Sequence, residues 1–457
     1  MDLFGTAGIR GPASEQVTPS LALRVGQATA RDAVERAGAA DPPEFVVGRD
    51  GRETGAALAA AMEAGLTSAG ADVHRVGVVP TPALAFASRG RRGVMLTASH
   101  NPPADNGIKL FADGEEYGEA AEARIETGVA AEPAPTEWDG WGERRESSPL
   151  SAYRDAVAGF AADHGAALDG LSVAVDCGNG VAGVATPQVL RALGADVDAL
   201  NATVDGHFPG RESKPTPETL TDLREYVAAG DHAFGVGHDG DADRIVVVGP
   251  DGDVVHEDTV VAILAEHYVR TVDAADPVVV TTPNASGRID ERVRAAGGRV
   301  ERVALGYLHD GVAAAREDGA TVAFAAEPWK HVHTQFGGWI DAVVSAAVFA
   351  RLVAAEGLAG LREPVTERPY RKGNVECPDA VKSAAMGRLE TALPEAFPDA
   401  EVATEYGVRL TFPDDAWLLV RPSGTEPYVR VYAESDDVDD LVAAASDVVA
   451  DVVGRFD

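Results

Sequence analysis

The chain has 457 residues and a formal net charge of −34, from 73 acidic and 39 basic side chains. Its length allows about three or four domains, and its charge argues against nucleic-acid binding, because phosphate backbones need a basic footprint. Two cysteines, Cys177 and Cys377, make no disulfide framework and lack metal-site spacing. We find no signal-peptide pattern and no apolar run of the roughly 20 residues that a bilayer requires. The sequence therefore predicts a cytoplasmic protein without membrane contact.

The basic residues include only five lysines. Such an acidic, lysine-poor composition resembles that of proteins from a salt-loaded cytoplasm, where salt screens self-repulsion. An anionic substrate that approaches so acidic a protein needs a locally positive pocket. Lys109, Lys214 and Lys330 lie in or beside candidate functional loops, and we interpret Lys109 and Lys330 as candidate phosphate contacts.

The first 148 residues alternate between predicted helices and strands. Thr18 and Pro19 suit the N-cap and first position of a helix that Gly38 ends. A second helix is predicted at 55–68, and strands are predicted at 45–48, 73–78 and 94–97. This βα alternation predicts a mostly parallel sheet covered by helices.

A polar, proline-rich connector at 131–150 interrupts the pattern, which then resumes. Strands are predicted at 171–176, 233–236 and 277–281, and helices at 185–193, 256–269 and 340–355. After residue 363 a few strands, a helix at 382–392 and a final helix at 438–453 indicate an α+β part. We therefore expect three similar α/β domains with mixed, mainly parallel sheets (1–148, 149–250 and 251–362) and a C-terminal α+β domain (363–457).

Candidate chemistry follows the buried strand at 94–96, in Thr97-Ala98-Ser99-His100-Asn101-Pro102. A serine hydroxyl needs help nearby to do chemistry, and His100 and Lys109 are close along the chain. Ser, Asn and Pro are also common turn residues, so this segment alone leaves both interpretations open.

A second loop follows the strand at 233–236 and carries Asp239, Asp241 and Asp243. Three carboxylates this close repel one another unless a cation lies among them, and oxygen ligands favour a hard cation such as Mg²⁺. An EF-hand is ruled out, because Arg244 and Pro250 occupy the positions where it needs glycine and glutamate. A solvated acidic turn is the alternative.

Near the C-terminus, Arg421-Pro422-Ser423-Gly424-Thr425 combines a guanidinium, two hydroxyls and a glycine whose backbone can approach an anion. This composition predicts a phosphate-binding loop, which Arg430 assists. A polar β-turn is the alternative, because it uses the same residue types.

These three segments, together with Phe4-Gly5-Thr6-Ala7-Gly8-Ile9-Arg10-Gly11, resemble the motifs of the alpha-D-phosphohexomutase family in order and spacing. The resemblance implies four domains around a central active site, the fourth of them mobile. It implies that phosphorylated Ser99 carries the phosphoryl group and that the three aspartates, with an oxygen of that phosphoserine, bind one Mg²⁺. It assigns general acid/base catalysis to Lys109, phosphate contacts to Arg10, Arg244 and His100, and activation to a hexose 1,6-bisphosphate.

The family's sugar-binding loop reads Gly-Glu-x-Ser-Gly-His, whereas this chain has Ala326-Glu327-Pro328-Trp329-Lys330-His331. Glu327 and His331 match the pattern and remain candidate sugar ligands. Trp329 either stacks on a sugar or packs, and Lys330 is a candidate phosphate contact. The resemblance also nominates Gly306 and Tyr307 for reading sugar orientation.

The predicted substrates are the 1- and 6-phosphates of glucose or mannose, with glucosamine phosphate as the alternative. A sugar-phosphate-binding paralogue without turnover and a phosphatase that acts through phosphoserine are alternatives of other classes. The oligomeric state stays open.

Overall fold

The computed structural model of the chain describes residues 3–5, 8–37, 42–423 and 426–456. It divides into two compact units, one of Met1–Val260 with Pro328–Leu361 and one of Val261–Glu327 with Arg362–Asp457. Three predicted features, the helix stop at Gly38 and the phosphate contacts Gly424 and Thr425, lie outside the described residues.

The first unit begins with a seven-stranded mixed sheet. Its strands are β1 (Ile9–Pro12), β2 (Glu44–Arg49), β3 (Asp72–Val78), β4 (Arg92–Leu96), β5 (Asp105–Ala112), β6 (Glu115–Glu116) and β7 (Arg144–Glu146). Its helices are α1 (Pro19–Ala37), α2 (Gly55–Ser68), α3 (Thr81–Ala87) and α4 (Glu119–Ala130). The strand order is β1-β5-β4-β2-β3-β7, with β6 paired to β5. Strand β2 runs parallel to β3 and β4, whereas β5 runs antiparallel to β4 and β1.

Local sequence signals account for the helices of this sheet. Helix α1 begins at Pro19, and the Leu21 N–H donates to Thr18 Oγ1 at 3.3 Å, which satisfies one of the donors at the helix start. Helix α2 has the predicted bounds. The two helices pack closely where Gly26 meets Met62, since a Cβ on Gly26 would lie 2.6 Å from the Met62 carbonyl oxygen.

A second, five-stranded sheet follows in the same unit, in the order β12-β11-β10-β8-β9. Its strands are β8 (Ser172–Asp176), β9 (Asp196–Leu200), β10 (Phe234–His238), β11 (Ile245–Val248) and β12 (Val254–Val255). Its helices are α5 (Leu150–Ala162), α6 (Thr186–Ala192) and α7 (Thr221–Ala229), and a 3₁₀ turn spans Val181–Val184. Strands β10 and β8 are parallel, while β10 and β11 are antiparallel.

Helix α8 (Glu257–Thr271) leads to the parallel strands of the second unit, in the order β14-β13-β15. These are β13 (Pro277–Thr281), β14 (Arg299–Arg302) and β15 (Thr321–Glu327), with helices α9 (Gly287–Ala295) and α10 (Leu308–Glu317) between them. The chain then returns to the first unit with β16 (Lys330–Val332) and α11 (Ala342–Arg362).

Helix α11 corrects the prediction that no apolar run is long enough to cross a bilayer. By length and composition it is long and apolar enough, but 67% of its most apolar window is buried inside the protein. Its apolar residues contact the rest of the protein, as expected for a core helix.

The C-terminal part of the second unit is a five-stranded antiparallel sheet in the order β17-β21-β20-β19-β18. Its strands are β17 (Tyr370–Glu376), β18 (Glu401–Ala403), β19 (Val408–Thr411), β20 (Trp417–Pro422) and β21 (Tyr428–Glu434), and its helices are α12 (Asp379–Ala396) and α13 (Val438–Val453). Apolar side chains of both helices form one core with the sheet.

The predicted multi-domain α/β fold with mixed sheets is confirmed. Antiparallel pairs arise where the chain doubles back, between β4 and β5 after Ser99 and between β10 and β11 after Asp239. The predicted connector at 131–150 is not wholly irregular, because it contains β7, which pairs with β3 and forms the edge of the sheet. The four domain boundaries stay a prediction.

Candidate active site

Ser99 lies in the loop between β4 and β5, which we define as the Ser99 loop (97–105). The residue is fully buried, and its φ of +52° is in the left-handed region, which is uncommon for a residue other than glycine. Its Oγ donates to Asp239 Oδ2 at 2.6 Å and lies 3.3 Å from His100 Nδ1. The fold thus joins the Ser99 loop directly to the acidic loop.

His100 is held in its neutral form. Burial, followed by the nearby charges of Arg244 and Arg10, lowers its pKa to about 2, and the Lys330 ammonium contributes in the same direction. An uncharged imidazole beside Ser99 can exchange a hydrogen bond with it, but it brings no positive charge.

The acidic loop (239–244) brings together three buried carboxylates. One oxygen from each of Asp239, Asp241 and Asp243 lies within 4.8 Å of the others. Burial and the two neighbouring carboxylates raise the pKa of Asp239 well above its usual range. Asp241 Oδ1 and Asp243 Oδ1 are buried, and neither has a hydrogen-bond partner among the residues that the structure describes. Buried, mutually repelling carboxylates with unused oxygens fit a hard divalent cation.

Two contacts hold this acidic loop against the first sheet. The Thr81 hydroxyl, at the start of α3, donates to Asp241 Oδ2 at 2.6 Å. Gly240 lies so close to the Ser99 backbone that a Cβ there would be 2.6 Å from the Ser99 carbonyl oxygen. Glycine is therefore needed at position 240 for the two loops to meet.

Lys109 projects from β5 into the same cluster. Its Nζ lies 2.7 Å from Asp243 Oδ2, 3.5 Å from Asp241 Oδ2 and 3.6 Å from Glu116 Oε1. Burial alone would lower the pKa of Lys109, but these three carboxylates outweigh it and raise the pKa above its usual range. The same attraction keeps Asp243 ionised, because Lys109, Lys330 and Arg244 outweigh burial and lower its pKa.

Two arginines complete the positive side of the cluster. Arg10 is opposite Gly107 in the β1–β5 pair, and its charge lowers the pKa of both His100 and Lys109. Arg244 Nε lies 3.9 Å from Asp243 Oδ1 and 4.0 Å from Asp239 Oδ2. This atom is buried and has no hydrogen-bond partner in the described ranges. The first unit thus collects all the residues predicted for catalysis and metal binding.

The structure decides between the two options given for Trp329, stacking on a sugar or packing. Trp329 packs against the apolar cluster around Leu220 and Val246, and its carbonyl oxygen accepts from the Ile245 N–H at 3.1 Å. Lys330 is close enough to His100 and Asp243 to lower the pKa of each. His331 is buried, with a pKa lowered to about 3 by burial, and its Nδ1 lies 2.9 Å from Ser345 Oγ. Packing, and not sugar stacking, accounts for Trp329.

Within the second unit, two segments predicted to contact the sugar, at Gly306–Tyr307 and at Glu327, are adjacent. Glu327, the last residue of β15, accepts from the Gly306 N–H at 2.6 Å. Tyr307 precedes the first residue of α10. One carboxylate oxygen of Glu327 is therefore used to fix the neighbouring loop, and the other remains to bind a hydroxyl.

The predicted phosphate-binding loop begins at the end of β20. Arg421 and Arg430 are directly opposite each other in the β20–β21 pair. Arg421 Nη2 donates to the Tyr432 hydroxyl at 3.1 Å, and Arg430 Nη2 donates to Glu426 Oε2 at 2.6 Å. Within the described part of the chain, which leaves out 424–425, three buried polar atoms here have no hydrogen-bond partner: Arg421 Nε, Arg430 Nε and Ser423 Oγ. Two guanidiniums and a hydroxyl with unused capacity suit an anion.

The structure adds residues that the sequence analysis missed. Thr81 and Glu116 contact the cluster described above, and Arg52 contacts the Ser99 loop. Lys382, on α12, donates to the Ser423 carbonyl at 2.9 Å and to the Glu426 carbonyl. The scarcity of lysine was a signal for Lys382, whereas nothing local distinguishes Arg52 from other turn residues.

Three profiles of the phosphoglucomutase/phosphomannomutase family match the chain. They are alpha/beta/alpha domain I at residues 1–135, alpha/beta/alpha domain II at residues 151–252, and the C-terminal domain at residues 374–452.

Two relatives and one solved structure match this chain over nearly their whole length. A phosphopentomutase of Thermococcus kodakarensis is 40% identical over 444 residues, which cover 95% of this chain and 94% of the relative. A probable phosphoglucosamine mutase of Methanopyrus kandleri is 40% identical over 462 residues, covering 99% and 98%. A phosphoglucomutase/phosphomannomutase family protein of Burkholderia thailandensis has a similar crystal structure, with a TM-score of 0.81, 26% identity and coverage of 98% and 97%.

Proposed function

This chain belongs to the alpha-D-phosphohexomutase family and is a phosphomutase, and we propose that it interconverts hexose 1-phosphates and hexose 6-phosphates through a phosphoryl group carried on Ser99. The observation that carries the proposal is the buried contact between Ser99 Oγ and Asp239 at 2.6 Å, beside two more carboxylates and Lys109. A small-molecule sugar phosphate is the proposed partner, and the cytoplasm is the proposed location.

The proposed cycle has two transfers. In the first, the bond between phosphorus and Ser99 Oγ breaks and a bond forms between phosphorus and a sugar hydroxyl oxygen, whose proton is passed on while Ser99 Oγ is protonated. The resulting hexose 1,6-bisphosphate turns over and returns its other phosphate to Ser99 by the reverse step. A hexose 1,6-bisphosphate also serves as the activator that phosphorylates Ser99.

The carboxylates of Asp239, Asp241 and Asp243 and an oxygen of phosphorylated Ser99 would hold Mg²⁺, which when bound neutralises charge on the transferring phosphoryl group. Lys109, which its neighbouring carboxylates hold in the ammonium form, is the proposed general acid/base. It gives a proton to Ser99 Oγ as the phosphoryl group leaves and takes the proton back in the return transfer.

Three further cationic side chains near Ser99 are proposed to bind the transferring phosphoryl group. Arg10, Arg244 and Lys330 place positive charge beside Ser99, and neutral His100 supplies a hydrogen bond.

Two further sets of residues are proposed to bind the rest of the substrate. Glu327 and His331 accept hydrogen bonds from sugar hydroxyls, and Gly306 and Tyr307 shape the neighbouring loop. The non-reacting phosphate is bound by a set of five residues: Arg421, Ser423, Gly424, Thr425 and Arg430.

Lys382 tests the proposed phosphate-binding loop. Its ammonium bonds carbonyls on both sides of the loop and pairs with Asp379 at 2.6 Å. We expect Lys382→Met to raise the KM for the sugar phosphate about 10-fold or more while kcat falls less, because a displaced anion site weakens binding. Steady-state kinetics measures this. The control is Arg388→Met, which removes a cation from the same helix, α12, where Arg388 lies over the Phe456 ring. A KM for Lys382→Met equal to that of the control would contradict the assignment.

The sugar itself is tested with a substrate panel. We expect isomerisation of at least one of glucose 1-phosphate, mannose 1-phosphate and glucosamine 1-phosphate, each with a trace of the bisphosphate. The name of the Methanopyrus kandleri relative supports the glucosamine substrate, and that of the Thermococcus kodakarensis relative adds a pentose 1-phosphate to the panel.

Product analysis by NMR separates the alternatives. Release of inorganic phosphate alone would indicate a phosphatase, and binding without any product would indicate a non-catalytic paralogue. Either result would end the mutase proposal.

A further inference from the structure

Arg52 is a charged residue with no contact to solvent, in the turn that follows β2. Its side chain and that of Asp50 are both 0% exposed, and Arg52 Nε donates to Asp50 Oδ2 at 3.0 Å. A buried guanidinium destabilises the fold unless its donors are paired and hydrogen-bonded. Such a residue therefore needs acceptors for each of its N–H groups.

Each of the five N–H donors of Arg52 has an acceptor. Nε uses the Asp50 carboxylate, and the other four donors bond carbonyl oxygens of the Ser99 loop. These are Pro102 (2.5 Å) and Asp105 (2.9 Å) from Nη1, and Ser99 (2.9 Å) and Asn101 (2.7 Å) from Nη2. A guanidinium presents five donors in one rigid plane, so one side chain fixes the backbone at four places in the loop.

The same turn also fixes the peptide on the other side of Ser99. The Ser99 N–H donates to Thr97 Oγ1 at 2.9 Å, and the Thr97 hydroxyl donates to Asp50 Oδ2 at 2.7 Å. Asp50 and Arg52 thus hold both flanks of a residue whose φ is +52°. A left-handed backbone at a residue other than glycine costs free energy and persists only where the surroundings impose it.

Arg52 also contacts the part of the unit that carries the acidic loop. Its guanidinium lies 5.1 Å from the centre of the Phe208 ring. Beside this contact, Gly206 meets Gly51 so closely that a Cβ on Gly206 would lie 2.5 Å from the Gly51 carbonyl oxygen. One buried residue therefore contacts both the Ser99 loop and the domain that supplies Asp239.

We propose that Arg52 is a positioning residue for phosphoryl transfer, which holds the Ser99 backbone so that Oγ meets the acidic loop. The inference rests on the proposed role of Ser99. Lysine cannot replace Arg52, because an ammonium has three donors in a tetrahedral arrangement and cannot bond four coplanar carbonyls and a carboxylate together.

Two variants test the proposal, Arg52→Lys and Arg52→Ala. We expect kcat to fall about 100-fold in each, with a much smaller change in KM, because a misplaced reacting group impairs the transfer more than substrate binding. We expect millimolar guanidinium to restore part of the kcat of Arg52→Ala and to leave Arg52→Lys unchanged. Amide hydrogen exchange over 97–105 should be faster in both variants, which is a readout independent of activity.

The matched control is Arg75→Lys. Arg75, on β3, also pairs with a buried carboxylate, that of Glu63 on α2. Among the described residues it makes no hydrogen bond to the Ser99 loop. Its kcat and the exchange rate over 97–105 should stay at the wild-type values.

Failure of the positioning role and failure of the proposed function give different results. Wild-type kcat and wild-type exchange in a folded Arg52→Lys would overturn the positioning role, as would a loss of activity that only matches the loss of folded protein in thermal unfolding. Absence of phosphate on Ser99 in active wild-type enzyme would instead overturn the proposed function.

Discussion

Ser99→Ala is expected to abolish mutase turnover, with a loss on the order of 10⁴-fold or more, because the substitution removes the atom that carries the phosphoryl group between the two transfers. Incubation with a hexose 1,6-bisphosphate should phosphorylate the wild-type protein at Ser99 and leave the variant unmodified. Intact-mass spectrometry and a coupled isomerisation assay measure the two effects on the same samples.

The fold should survive this change. Ser99 Oγ donates to a carboxylate whose pKa is already raised by burial and by two neighbouring carboxylates, so the lost hydrogen bond leaves Asp239 able to take a proton. Ser88→Ala is the matched control, since Ser88 is equally buried but donates only to the Ala85 carbonyl within its own helix. Turnover by Ser99→Ala at the rate of Ser88→Ala would rule out a phosphoserine mechanism.

Asp241→Asn is expected to lower turnover by about 100-fold or more at saturating substrate, because a neutral amide cannot replace a carboxylate in a Mg²⁺ site. The same variant should show little or no thermal stabilisation by added Mg²⁺, whereas the wild-type protein should be stabilised by mass action. In the presence of a chelator the variant should unfold at the wild-type temperature or above it, since one of three repelling buried carboxylates is gone.

Thermal unfolding with Mg²⁺ and with chelator distinguishes the metal site from a merely structural cluster. Asparagine can still accept from the Thr81 hydroxyl, so the contact between α3 and the acidic loop is preserved. The control is Asp253→Asn, at an exposed carboxylate beyond β11. Equal Mg²⁺ stabilisation of Asp241→Asn and Asp253→Asn would remove the metal assignment.

Much of the local structure was predictable, because its causes are local. Helix α2, strand β13 and helix α13 all have the predicted bounds. The prediction failed at β7, whose three exposed residues have no apolar alternation and form a strand only because the edge of β3 is available. By contrast, the helix predicted at 340–355 agrees closely with the first part of α11, which the left-handed φ of +72° at Gly357 interrupts.

The candidate site was predictable in residue type but not in arrangement. The motifs identify a serine, three aspartates and a lysine, yet the contacts that define the site join Ser99 to a residue 140 positions away and Lys109 to one 134 positions away. Sequence spacing carries no information on such pairings, because they depend on how two sheets pack. For the same reason Trp329 could not be assigned to a sugar or to a core until its neighbours were known.

The sequence by itself determined the class of chemistry, since acidic, hydroxyl and cationic groups on loops after buried strands limit what the chain can bind. Only the tertiary structure decided the charge states and the support of the site. Three neighbouring carboxylates keep Lys109 protonated in spite of its burial, and burial together with two nearby arginines keeps His100 neutral. Hydrogen bonds to four backbone carbonyls tie Arg52 to the Ser99 loop. Each effect depends on desolvation and on charges brought together by folding, which a one-dimensional pattern does not contain.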